Sequence, residues 1–181
     1  MTLSAGMISP LKFEYFKNLL DKIPIRTIGE TGVLNGGMAR AMCEYVLTSQ
    51  KTNLKYYGYD YFELVLDYSP NVVEYGDYNK AFKRLSKLQK KYKDRFEFNL
   101  IKGYTVNTLT ENMIFDFVFI DGGHQYENVL HDWLHVKNSK IIVFDDTHKP
   151  PVKNVISKYV NPYHDVIYTD HHQPCAVIYN F

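Results

Sequence analysis

The sequence predicts an α/β fold: a mostly parallel, doubly wound sheet with helices on both faces. Three observations carry this expectation. Short apolar runs alternate with segments of helical periodicity along most of the chain. The runs FDFVFI and IIVF are apolar, aromatic and β-branched almost throughout, as strands covered on both sides are. Glycine-containing turns follow two of the strands and lead into helices, which is where such sheets bind ligands.

The elements follow in order. LKFEYFKNLLDKI, Leu11 to Ile23, has apolar residues at helical spacing and stops before Pro24. IRTIGETG, from Ile25, reads as a short strand breaking into a glycine loop, and Gly36 to Leu47 as a helix opened by glycines. KYYGYD, Lys55 to Asp60, is a strand ending on an acid. Residues 61–79 are tyrosine-rich and irregular, with Pro70 and Gly76 inside, and form a candidate lid. Lys80 to Tyr92 is a basic amphipathic helix, Phe96 to Gly103 a strand, and Val106 to Met113 a short helix or turn. Phe115 to Ile120 is a buried strand, and a helix follows its glycine turn. Lys140 to Asp146 is a further buried strand, and Pro150 to Val160 a loop passing into a helix. DVIYTD and AVIYNF, separated by HHQPC, close the chain as an antiparallel pair.

The chain of 181 residues is long enough for one domain, with residues 1–24 as an N-terminal helical addition. A net charge of +1 gives no bulk electrostatic reason to expect a nucleic-acid partner. The lysines between Lys83 and Lys93 read as a solvated helix face. No basic segment followed by an apolar run opens the chain, and no apolar stretch is long enough to span a bilayer. Cys43 and Cys175 share no motif spacing, and Cys43 falls in an apolar helical pattern as a core residue. A cytoplasmic protein without a membrane partner is expected.

Three strand ends carry chemistry. GETGVLNGG, Gly29 to Gly37, lacks the Lys and Ser or Thr of a phosphate loop, because Met38 and Ala39 follow. It also lacks G-x-G-x-x-G, which argues against a nicotinamide oxidoreductase. What stands is Glu30-x-Gly32-x-x-x-Gly36. Asp60, ending the next strand, can accept two hydrogen bonds from a ribose diol. At the third place Asp121 is followed by Gly122, Gly123 and His124, and Asp145-Asp146 closes the neighbouring strand. Three carboxylates at one sheet edge repel one another unless a cation or protons intervene, and a hard divalent ion such as Mg²⁺ fits that need.

In this order the motifs resemble class I S-adenosylmethionine (SAM)-dependent methyltransferases. More narrowly they resemble the small O-methyltransferases with a D-G-x-H segment, a branch that includes enzymes acting on sugar hydroxyls. The resemblance covers about Ile25 to Lys149 and extends to the terminal strand pair, which completes a seven-stranded sheet in this fold. It implies a cofactor site formed by Glu30, Gly32, Leu34, Asn35 and Gly36, with Asp60 on the ribose, Tyr104 beside the adenine, and Asp121 at its end. Leu34 stands where the broader fold commonly has a glycine, a departure that catechol-type enzymes share. The resemblance further implies Asp121, Asp145 and Asp146 as metal ligands and His124 as the base, since a neutral imidazole is suited to take a hydroxyl proton.

The expected activity is methyl transfer to a hydroxyl oxygen of a small-molecule or sugar acceptor. Two alternatives stand beside it: a metal-independent methyltransferase acting on nitrogen or another acceptor, and a non-catalytic nucleoside-binding subunit. HDWLH (His131 to His135) has Asp132 where a zinc protease motif has Glu, so these histidines read as solvent-facing or packed. His148 lies near enough in sequence to the carboxylates to meet substrate, and His171, His172 and Cys175 fall in the terminal turn. With little chain left over for a cap, the site is expected to be open, to take a large acceptor, or to be walled by a second copy in a homo-oligomer.

Overall fold

The computed structural model describes residues 10–66, 73–169 and 175–181. Seven strands form one sheet: β1 (Thr27–Thr31), β2 (Leu54–Asp60), β5 (Phe96–Lys102), β6 (Phe117–Ile120), β7 (Ile141–Phe144), β8 (Val166–Tyr168) and β9 (Ala176–Tyr179). Their order is β5-β2-β1-β6-β7-β9-β8, and β9 alone runs antiparallel to its neighbours. A second, two-stranded antiparallel sheet pairs β3 (Leu64–Leu66) with β4 (Val73–Tyr75). The 61–79 segment is thus a hairpin in its described part rather than wholly irregular, and residues 67–72 of the expected lid lie outside the described residues. His171 and His172 lie outside them as well.

Alternation along the strands feeds two apolar layers. Phe117 and Phe119 of β6 join Ile28, Tyr56 and Val143 on one face, where α1 (Pro10–Leu20), α2 (Gly37–Ser49) and α3 (Tyr78–Tyr92) pack. Val118 and Ile120 point the other way, with Ile142 and Phe144, into a layer completed by α5 (Tyr126–Val136) and α6 (Pro150–Val155). Every residue of β6 and β7 is buried, which is why both read as unbroken apolar runs. Each fully buried phenylalanine or leucine here contributes about 1.5–3 kcal/mol.

Local chemistry sets the helix ends. The basic helix begins at Tyr78, two residues before the sequence expectation, because the Asp77 side chain accepts the Lys80 N–H at 3.0 Å and caps it. Helix α4 (Thr105–Thr108) is a single turn, shorter than the periodicity suggested. Helix α6 continues as a π-helical segment over Ile156–Val160. No helix among the described residues is long and apolar enough to cross a membrane.

Parallel register brings the strand ends level. Thr31 pairs with Tyr59 on β2 and with Ile120 on β6, and Ile120 pairs with Phe144 on β7. The residues just beyond, Gly32, Asp60, Asp121 and Asp145, therefore line a single edge of the sheet.

Gly36 caps α2 in the left-handed region at φ 70°, and a Cβ there would lie 2.9 Å from Cα of Ala81 on α3. Gly36→Val should combine backbone strain with separation of α2 from α3. A loss of about 1–3 kcal/mol is expected, read as a lowered urea midpoint.

Candidate active site

A cavity of about 510 Å³ opens at this edge. Gly32, Leu34, Asp60, Tyr104, Asp121 and His124 line it, so six residues singled out in the sequence meet around one space. Glu30, Asn35 and Gly36 do not line it. Asn35 instead accepts the Arg84 guanidinium on its backbone oxygen at 2.7 Å, tying the loop to α3.

The glycine loop is shaped by close approach. Gly32 has φ 85°, and a Cβ at this position would fall 1.9 Å from the Asp121 carbonyl oxygen. No side chain fits between the two strand ends, so the loop after β1 lies directly on the turn after β6. Leu34 adopts φ 52°, the left-handed conformation that a glycine takes without cost. Its N–H is fixed at 2.7 Å by Asp60 Oδ2, which offsets that strain. Asp60 also accepts the Phe62 N–H on Oδ1 at 2.5 Å. Burial raises its pKa, and the backbone N–H groups of Phe62, Leu34 and Val33 oppose that rise.

Behind the loop, Glu30 is 1% exposed and accepts a hydrogen bond from the Tyr56 hydroxyl. Burial pushes its carboxyl up to about 8; the Tyr56 hydroxyl opposes this, and the nearby Asp60 charge adds to it. Glu30 is therefore a support beneath the loop rather than part of the cavity wall.

The carboxylate cluster divides in two. Asp145, 7% exposed, is ion-paired with Lys12, which reaches across from α1 and is itself only 5% exposed. Asp145 Oδ1 also accepts the Asp146 N–H at 2.7 Å and faces the Cys175 sulfur at 3.5 Å. Burial lowers the Lys12 pKa, but Asp145, Cys175 and Asp121 together outweigh it and hold the ammonium charged. Burial, followed by the charge of Asp145, drives Asp121 well above the usual carboxylate range. The remaining carboxylate, Asp146, has backbone φ 51° and lies 3.0 Å from His124 Nε2 and 2.8 Å from Lys149 Nζ. Burial would raise its pKa, but His124 and Lys149 hold it below the ordinary value.

Asp121, His124 and Asp146 can each offer one ligand atom, all within 4.8 Å of one another. This is the one such group among the described residues, and its mixed oxygen and nitrogen donors suit a divalent ion. It differs from the expected set. Asp145 is turned to Lys12, and His124 takes its place.

The other histidines are engaged elsewhere. His131 Nε2 sits 3.1 Å and 3.0 Å from the carbonyl oxygens of Thr105 and Leu109, and its ring lies 4.0 Å from that of His135. They pack α5 against the α4 turn, without a zinc site. His148 is exposed, 3.9 Å from Asp146. Tyr104 stacks on Tyr61 at 4.2 Å beside the cavity. Three site partners went unnoticed in the sequence: Tyr56, Lys12 and Lys149. Only Lys149 had a local clue, its position three residues after Asp146.

A family model described as "Methyltransferase domain" matches residues 30–147, which is most of the chain and spans every strand end just described. The chain belongs to this family of class I SAM-dependent methyltransferases. No curated protein sequence matches it significantly. Its fold is that of several solved O-methyltransferases at low identity. NovP is 15% identical with a TM-score of 0.74, covering 98% of this chain and 83% of NovP. The O-methyltransferase from Bacillus cereus, in complex with SAH, is 16% identical with a TM-score of 0.61, covering 98% and 84%. TomG from Streptomyces achromogenes, involved in tomaymycin synthesis and solved with SAM, is 13% identical with a TM-score of 0.61, covering 99% and 84%.

Glu30 gives a test of the support beneath the loop. The fold keeps its carboxyl protonated up to about pH 8, whereas an ordinary glutamate ionises near 4.5. The folded state binds the extra proton between those values, so stability falls as pH rises through that window. Melting temperature measured against pH should fall there in the native chain, and Glu30→Gln should flatten the fall.

Proposed function

We propose that the chain transfers a methyl group from SAM to a hydroxyl oxygen of a small-molecule or sugar acceptor, with His124 as the base. The observation that carries this reading is the position of His124: 4% exposed, on the wall of the cavity, beside Asp121 and within hydrogen-bond distance of Asp146. The naming of NovP, TomG and the Bacillus cereus protein as O-methyltransferases favours oxygen over nitrogen as the acceptor atom.

SAM supplies a sulfonium methyl already activated for in-line attack, so the protein's task is positioning and proton removal. The cavity lined by Gly32, Leu34 and Asp60 fits its methionine and ribose portions, and Tyr104 its adenine. Asp60, its oxygens already fixed by two N–H groups, has lone pairs left for a ribose diol. Asp146 orients the imidazole and stabilises the positive charge that builds as His124 takes the acceptor proton.

In a metal-assisted form of this reading, a divalent ion would be held by Asp121, His124 and Asp146 and would itself lower the pKa of the acceptor hydroxyl, since an imidazole that gives its lone pair to the ion is no longer the base. Asp145 acts at one remove, by neutralising Lys12 and holding the Asp146 N–H.

Isothermal titration should give micromolar binding of S-adenosylhomocysteine (SAH) that is lost in Gly32→Arg; absence of binding to the native chain would sink the reading. His124→Ala should keep SAH affinity while cutting turnover about 100-fold or more, measured on a panel of sugars, catechols and nucleosides with and without Mg²⁺. An unchanged rate removes His124 from the chemistry.

A further inference from the structure

Lys149 contacts two of the three donors that a divalent ion would need, Asp146 and His124. The Lys149 N–H bonds the Asp146 carbonyl at 2.8 Å, closing a tight turn that sends the lysine side chain back over the aspartate. Its Nζ lies 2.8 Å from Asp146 Oδ2, 2.9 Å from His124 Nδ1 and 3.2 Å from His124 Nε2. The side chain is 13% exposed, so these contacts are made largely away from water. The left-handed backbone at Asp146 is part of the same device, because it sets the turn from which both side chains project.

We propose that Lys149 is the resident cation of this centre, and that a divalent ion must displace its ammonium from Asp146 and His124 in order to enter. The inference rests on the donor group of Asp121, His124 and Asp146 given above. An ammonium and a divalent ion seek the same carboxylate oxygen and the same imidazole lone pair. Two cations within 3 Å of one ligand atom repel strongly where water is scarce. The chain thus neutralises its strand-edge carboxylates internally, Asp145 through Lys12 and Asp146 through Lys149, and divalent-ion affinity is set by the cost of moving Lys149. Lys149 is a positioning residue in this account: it holds the His124 ring and Asp146 in place and tunes what else they bind.

Titration of the full-length chain with Mn²⁺, followed by loss of the free-ion electron paramagnetic resonance signal, tests this directly. Lys149→Met should bind Mn²⁺ about tenfold or more tightly than the native chain, because the competing charge is gone. Lys149→Arg, which keeps that charge, should remain close to native affinity, and Asp146→Asn should abolish the gain when combined with Lys149→Met. SAH affinity, which does not involve Lys149, reports that each variant is folded. Equal or weaker Mn²⁺ binding in Lys149→Met overturns the proposal. Absence of Mn²⁺ binding in every variant at millimolar ion overturns the donor group and the proposal together, while SAH binding still decides the methyl-transfer reading separately.

Discussion

Three carboxylates crowded at the ends of two buried strands impose the constraint on which this molecule is built. Asp121, Asp145 and Asp146 emerge from β6 and β7 above layers that are wholly apolar. Burial by itself raises the pKa of Asp121 and of Asp146. The structure answers with cations from other elements and turns: Lys12 from the first helix for Asp145, and His124 from the β6 turn with Lys149 from the turn before α6 for Asp146. The placement of α1 and the path of the chain from β7 into α6 both serve that neutralisation. A buried ion pair contributes little net stability, yet removing one partner is costly. The cluster is thus better understood as fixing geometry than as stabilising the fold.

The first glycine loop obeys a different rule. Its shape depends on contact between backbones, with Gly32 resting on the Asp121 carbonyl, so the cofactor edge and the carboxylate edge form one continuous surface. Asp60 fastens this loop from the side through Leu34, and Glu30 with Tyr56 fills the space behind it. A protonated Glu30 in that place provides polar support without adding a second negative charge close to Asp60.

Much of this arrangement could be read in advance, for physical reasons that differ by residue. β6 and β7 announced themselves because strands covered on both faces cannot carry polar side chains, and the order of glycine loop, acid and D-G-x-H is a consequence of the parallel register. The position of α3 was misjudged by two residues because Asp77 acts through its side chain, which apolar periodicity ignores. Asp145 is expected as a metal ligand from the carboxylate cluster and the family resemblance; the ion pair it makes with Lys12, 133 residues away, is something no local pattern encodes. Leu34 looked like a lost glycine, yet the backbone keeps the left-handed turn and spends a hydrogen bond on holding it.

The reach of Lys12 to Asp145 also orders events in time. A ribosome releases α1 first, long before β7 exists, so the lysine must wait until about four-fifths of the chain has emerged. Contacts between such distant segments close late, since the entropy of the intervening loop must be met first. Helix α1 acts as a latch on the carboxylate edge. The glycine loop, which rests on the Asp121 backbone, waits for β6, and the carboxylate edge stays wet and unlatched until β7 follows.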